Sequence, residues 1–187
     1  MRYGVLALQG AVSEHVSALE SAVGKLGISA EVLQVREREE LKGLDGIILP
    51  GGESTTLSLL LEAEDMFGAL GDVPKIFGTC AGAIFLAREI KGVVDDQKCL
   101  GLIDMEISRN SYGRQLESFE VPLETSLGKI NGVFIRAPGI LQIGAKVEVL
   151  AEHEGNPVAV QQGKFMATTF HPELSSSTSF HEYFLKL

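Results

Sequence analysis

Lys75-Ile76-Phe77-Gly78-Thr79-Cys80-Ala81-Gly82-Ala83-Ile84-Phe85-Leu86-Ala87-Arg88-Glu89 is the stretch on which the reading of the fold turns. Lys75–Gly78 reads as a short strand, and Ala81–Glu89 carries helix formers with apolar Ile84, Phe85 and Ala87. Cys80 therefore falls where a strand gives way to a helix, flanked symmetrically by Gly78 and Gly82. This is the form of a nucleophile elbow, a sharp turn that holds its central residue in a strained conformation and needs small neighbours. A thiol at a helix start faces unsatisfied N–H groups, which favour the reactive thiolate. The N–H of Ala81 is placed to donate to an oxyanion. An isolated cysteine is usually a small core residue, so the flanking pattern is what singles out Cys80. Cys99 has no such context and reads as structural.

Outward from the elbow, the first half alternates short β-rich runs with longer amphipathic ones. Tyr3–Leu8, Ala30–Val35 and Gly46–Leu49 read as strands. Val16, Leu19, Val23 and Leu26 recur at three- and four-residue steps, which predicts a helix from Ser13 to about Leu26 that Gly27 stops. A further helix is expected from near Ser54, with Ser54 or Thr55 as its N-cap. Such βα units build a parallel sheet. Beyond Gly92 the pattern changes to Leu102–Ser108, Phe119–Pro122, Gly132–Arg136, Val147–Glu152, Val158–Gln162 and Phe165–Phe170, short extended runs that suggest mixed or antiparallel additions. Thr178–Leu187 spaces Phe180, Phe184 and Leu187 as a closing helix. The expectation is one α/β domain over residues 1–187, mostly parallel in its central sheet.

Composition narrows the function classes. A net charge of −9 argues against a nucleic-acid partner, because binding a polyanion needs clustered Lys and Arg. No apolar run approaches the roughly 20 residues of a membrane span, and the N-terminus has no signal-peptide pattern. Two cysteines are too few for a disulfide framework, although pairing of Cys80 with Cys99 stays open. The reading is a soluble cytoplasmic protein with small-molecule or protein partners.

A thiolate nucleophile needs a base that is distant in sequence and adjacent in the fold. Phe165–Phe170 delivers His171 at a strand's carboxyl end, where ligands bind in open α/β sheets. Pro172 stiffens the turn, and Glu173 can fold back to accept from the imidazole and fix its tautomer. By contrast His15, beside Glu14, and His153, between Glu152 and Glu154, read as solvated residues, and His181 as a helix surface residue. Pro50-Gly51-Gly52-Glu53-Ser54 follows a strand and opens a helix, so the Gly52 N–H is placed to complete an oxyanion hole with Ala81. A phosphate cradle is the competing reading, but a Walker lysine and dinucleotide spacing are both missing. Arg109 and Arg136 are candidates to clamp a substrate carboxylate through a bidentate fork, and position alone does not separate them from Arg88 or Arg114. No metal or cofactor enters this chemistry.

Taken together the motifs resemble those of the triad-type (class I) glutamine amidotransferases, and more closely the glutaminase subunits of pyridoxal 5′-phosphate synthases. The elbow and His171-Pro172-Glu173 carry the wider likeness. Leu8-Gln9-Gly10-Ala11 with Glu14-His15, Arg109-Asn110-Ser111-Tyr112-Gly113-Arg114-Gln115 and Phe134-Ile135-Arg136-Ala137-Pro138 carry the narrower one. The resemblance implies a three-layer αβα sandwich and hydrolysis of L-glutamine by Cys80, His171 and Glu173. It also implies glutamine contacts from Gly52, Glu53, Ser54, Arg109, Ile135 and Arg136. Ammonia would pass to a (β/α)8-barrel synthase partner, within a large hetero-oligomer, to join ribose 5-phosphate and glyceraldehyde 3-phosphate. The competing classes are another cysteine hydrolase or thiol-redox protein on the same scaffold, and a regulatory subunit that has lost catalysis.

Overall fold

The computed structural model of the chain describes residues 1–92, 98–109, 111 and 118–187. The parallel part is built from β1 (Arg2–Leu6), α1 (Val12–Leu26), β2 (Glu31–Val35), β3 (Gly46–Leu49), α2 (Ser54–Ala63), α3 (Phe67–Gly71), β4 (Ile76–Thr79) and α4 (Ala81–Leu86). Then follow β5 (Ala87–Lys91), β6 (Ile103–Ser108), β7 (Ser118–Thr125), β8 (Gly128–Ile135), β9 (Gly139–Ile143), β10 (Glu148–His153), β11 (Asn156–Gln162), β12 (Phe165–Thr168) and α5 (Ser179–Lys186). Nine strands form one sheet in the order β2-β1-β3-β4-β12-β11-β10-β7-β8. The pairs from β2 to β12 are parallel, and those from β12 to β8 are antiparallel. The last strand in sequence thus returns to the middle of the sheet beside β4, which sets His171 next to Cys80.

Strand alternation gives the sheet two apolar faces, each with its own core. On β3, Ile48 belongs with Tyr3, Val5, Phe77, Phe180 and Phe184 under α1 and α5. Its neighbours Ile47 and Leu49 belong with Leu57, Leu61, Ile76 and Phe85 under α2 and α4. Two faces covered by helices make the three-layer α/β arrangement. α1 ends as its sequence demands, with Gly27 in the left-handed region at φ 62° and its N–H bonded back to Gly24. Among the described residues no helix is long and apolar enough to cross a membrane.

Three local expectations are corrected. The helix after Cys80 stops at Leu86, because Ala87 to Lys91 pair in parallel with β6, where Lys91 lies 3.4 Å from Glu89 and 3.5 Å from Glu106. Long-range pairing outweighs local helix propensity there. The N-cap of α2 is neither Ser54 nor Thr55 but Glu53, whose carboxylate accepts from the Thr55 and Thr56 N–H groups at 3.0 and 2.6 Å. Finally, β5, β6 and β9 form a separate three-stranded sheet, and β9 has no counterpart in the sequence reading. Of the Arg109–Gln115 motif, Asn110 and Tyr112 to Gln115 lie outside the described residues.

Candidate active site

Cys80 stands between β4 and α4 with φ 50° and ψ −108°, a conformation that L residues rarely adopt. The two flanking glycines permit it. A Cβ on Gly82 would run into the Leu49 carbonyl, and one on Gly78 into the Gly82 carbonyl, so the elbow closes only around bare backbone. The Cys80 N–H is tied to the Thr168 carbonyl at 2.8 Å, which couples the elbow to β12. The thiol is 6% exposed, and its Sγ lies 3.8 Å from the Ile135 carbonyl. Cys80 and Cys99 are both free, which closes the pairing left open by sequence.

β12 ends at Thr168, two residues earlier than the sequence suggests, and Thr169 and Phe170 carry the chain on to His171. Phe170 is buried against Phe134 and Phe180, and the His171 N–H donates to the Val133 carbonyl at 2.8 Å, which pins the imidazole between strands. Pro172–Leu174 then turn as a 3-10 helix and bring Glu173 back beneath the ring. His171 Nδ1 meets Glu173 Oε1 at 2.7 Å in surroundings where Glu173 is only 7% exposed. Burial alone pushes the imidazolium pKa down. Hydrogen bonds with Cys80 and Glu173, and the charge on both, outweigh it and raise the value to about 10. The three side chains thus stand as a cysteine–imidazolium–carboxylate row.

Cys80 and His171 open on a cavity of about 370 Å³, within the range of small-molecule sites. Every residue expected to touch substrate lines it: Gly52, Glu53, Ser54, Arg109, Ile135 and Arg136, together with Ala81. Glu173 is set behind His171 and does not line it. Sequence reading gave no site role to Gly10, Ala11, Ile84 and Pro138, which also line these walls, as does Gly51 of the glycine loop. Gly51 has a structural reason to be there. A Cβ at Gly51 would lie 2.5 Å from His171 Cε1 and 3.1 Å from Cys80 Cβ, so only glycine lets the loop pass between the two. Gly52 follows at φ 143°, and Gln9 holds the loop from outside by donating to the Glu53 carbonyl at 2.8 Å.

The two arginines differ. Arg109 is engaged with Glu53, Nη2 to Oε1 at 3.1 Å. Arg136 is exposed and sits just after β8 at φ 43°, a second strained non-glycine residue on the rim. Burial is the largest single influence on the Glu53 pKa and raises it, but the hydrogen bonds from Thr56 and Thr55 together outweigh it and lower the value to about 2, so it is anionic at any working pH. Among the described residues no group of three or more His, Cys, Asp or Glu is placed to hold a metal ion.

Two histidines are corrected. His15 and His181 are not solvent-facing; both have 0% exposure and stack behind Glu173. On α1 the buried residues are His15, Leu19 and Ala22, a four-then-three step that marks the inner stripe. That spacing is the signal the sequence offered. His153 is half-buried against Phe119 and Phe134.

A strained cysteine beside a histidine–glutamate pair on a covered α/β sheet has the make-up of a thiol-nucleophile site, and comparison with known proteins places the chain among amidotransferases. The chain belongs to the SNO glutamine amidotransferase family, whose model matches residues 5–187. It is 45% identical over 193 residues to a protein of Thermococcus onnurineus named pyridoxal 5′-phosphate synthase subunit PdxT, covering 100% of this chain and 98% of that one. A protein of the same name from Thermotoga neapolitana is 46% identical over 194 residues, covering 100% and 99%. Among solved structures, one described as a glutamine amidotransferase superposes with a TM-score of 0.86 at 46% identity, covering 98% and 97% of the two chains. A Thermotoga maritima glutamine amidotransferase at 13% identity and a TM-score of 0.59 shares the fold.

Proposed function

We infer that this chain is the glutaminase subunit of a pyridoxal 5′-phosphate synthase, hydrolysing L-glutamine to L-glutamate and ammonia and feeding the ammonia to a synthase subunit. The observation that carries the reading is the Cys80–His171–Glu173 row at the wall of a pocket edged by opposite charges, Glu53 and Arg109. Glutamine itself bears an ammonium and a carboxylate that such a pair can recognise. Full-length likeness to proteins named as subunits of that synthase supplies the pathway.

The geometry supports the following mechanism. The Cys80 thiolate attacks the side-chain carbonyl carbon of glutamine, and the electron pair moves to the oxygen, which the N–H groups of Gly52 and Ala81 stabilise. His171 gives its proton to the departing nitrogen, so ammonia leaves and a γ-glutamyl thioester remains on Cys80. Water, deprotonated by His171, then attacks the thioester, releases glutamate and restores the thiolate. Glu173 holds the His171 tautomer throughout. Arg109, Arg136, Ser54 and Ile135 position the amino acid. No cofactor is required. The synthase subunit in this reading is a (β/α)8 barrel that assembles with the chain in a large hetero-oligomer, in the cytoplasm.

The deciding experiment measures ammonia release from glutamine with and without the synthase subunit of the same cell. Activity is expected with the partner and is lost in Cys80→Ala, and mass spectrometry should find a glutamine-dependent thioester on Cys80. Ammonia release by Cys80→Ala at the wild-type rate would overturn the reading.

A further inference from the structure

The row uses one oxygen of Glu173. Oε1 accepts from His171, whereas Oε2 is buried without a well-directed hydrogen bond. The Nε2 atom of His15 lies 3.3 Å from Oε2 and also 3.1 Å from Thr79 Oγ1. Proximity and the missing directed bond are compatible if the single hydrogen on Nε2 leans toward Thr79 while the carboxylate lies at its flank. On the far side of the ring, His15 Nδ1 meets His181 Nε2 at 3.1 Å, and His181 Nδ1 has no partner.

Counting donors fixes the tautomers. If His15 carried its hydrogen on Nδ1, the Nε2 lone pair would face a carboxylate oxygen, and His181 would have to carry its own hydrogen on Nδ1, buried and unbonded. Both features are costly. With the hydrogen on His15 Nε2, that edge faces two oxygens, Nδ1 accepts from His181 Nε2–H, and only a lone pair on His181 is left over. Burial and the charge of neighbouring histidines push the His15 pKa well below its ordinary value, so the ring is neutral. Phe77 packs its ring edge-on against His181 at 5.9 Å and closes the stack.

We propose that His15, locked into its Nε2–H tautomer by His181, is a positioning residue for the glutaminase reaction: it sets its N–H edge 3.3 Å from the second oxygen of Glu173, steadies the carboxylate by that close electrostatic contact, and through Glu173 fixes the tautomer and angle of His171. The proposal rests on the glutaminase reading. Without that N–H edge, the buried Oε2 loses the dipole that faces it, and the carboxylate's freedom to rotate passes directly to the imidazole.

The test uses the full chain with its synthase subunit and L-glutamine, and three variants, His15→Leu, His15→Gln and His181→Leu. His15→Leu is expected to lower kcat roughly 10- to 100-fold, since small misplacements of a catalytic group cost that much, while KM moves less than about threefold. Proton NMR of the free chain should show the downfield His171 Nδ1–H signal weakened or shifted. His15→Gln, which keeps an N–H donor, should recover most of both. Wild-type kcat and an unaltered signal in His15→Leu would overturn the proposal, as would a loss confined to KM. If His15→Leu does not fold, His181→Leu decides, because His15 remains but is free to take the other tautomer. A fall in kcat of about three- to tenfold with an altered signal supports the proposal, and unchanged values overturn it. Cys80→Ala, run in parallel, separates the failures: its activity sinks the glutaminase reading, whereas an inert Cys80→Ala beside an unimpaired His15→Leu sinks this proposal alone.

Discussion

On the side that faces the pocket, His171 meets Gly51 and the strained Cys80; on the side that faces the core it meets Glu173, with His15, Thr79 and His181 behind, those three at 0% exposure. The pocket side takes its geometry from backbone, at positions where no side chain can be added. The core side takes its geometry from polar atoms that no water reaches. One is therefore broken by adding atoms and the other by removing a donor, an acceptor or a neutral charge state. This difference orders the expected effects.

The largest belongs to the core side. Glu173→Gln keeps shape but presents one oxygen and one NH2 to two N–H groups, so either His171 or His15 faces a donor with a donor. The His171 tautomer is lost, and ammonia release should fall by about 10³- to 10⁴-fold, as when the orienting acid of a triad becomes its amide. Glutamine binding, measured by calorimetry on the isolated chain, should change little. Equal losses in binding would place Glu173 in substrate recognition and erase the contrast.

Next is an effect of pH on the same side. Burial lowers the His181 pKa from 6.5 to about 4, and His15 shifts in the same direction. The groups packed around them are Glu173, His171, Thr79 and Phe77. The unfolded chain takes up these protons below about pH 6.5 while the folded chain refuses them, so stability is full above that value and is lost as pH falls toward about 4. For His181 the loss is on the order of 3 kcal/mol across the window. Urea midpoints at pH 7 and pH 4.5 measure it, and His181→Phe should flatten the slope. An unchanged slope would mean that the stack opens to water before it titrates.

The pocket side was the more legible of the two in the sequence, and the reason is physical. Gly78, Gly82 and Gly51-Gly52 announce backbone requirements in residue type, and strand alternation with the α1 and α2 periodicities gave the parallel half of the sheet. His171-Pro172-Glu173 is legible because its partners are two residues apart. The His15–His181 stack joins residues 166 apart in sequence, and a buried histidine on a helix looks like a polar surface residue unless its place on the stripe with Leu19 and Ala22 is noticed. β5 and β9 were illegible for a related reason. Their state is decided by pairing with β6, across the chain, and not by their own composition.

On the pocket side, Gly51→Ala sets a methyl 2.5 Å from His171 Cε1 and 3.1 Å from Cys80 Cβ. The loop or the imidazole must move by several tenths of an ångström, which parts the nucleophile from its base. A fall in kcat of about 10²-fold is expected, with the melting temperature lowered only a few degrees. Alkylation of Cys80 by iodoacetamide at neutral pH checks the cause: loss of the His171 partner should slow it markedly. Wild-type alkylation with low kcat would move the damage from the Cys80–His171 pair to the oxyanion loop.

The smallest effect lies at the rim, where backbone and polar devices meet in Glu53. Its carboxylate caps α2 and pairs with Arg109, while its carbonyl anchors the Gly51-Gly52 loop through Gln9. Glu53→Gln leaves the carbonyl and an amide oxygen for the cap, but removes the charge. Stability should drop by about 1 kcal/mol or less, the size of a weakened cap and an exposed ion pair. If Glu53 and Arg109 exchange each other for the ammonium and carboxylate of glutamine, KM should rise by about tenfold while kcat holds, because the lost interaction is the same in the bound and transition states. A fall in kcat instead would mean that the cap charge sets the position of Gly52, and the backbone side of His171 would then depend on a polar group after all.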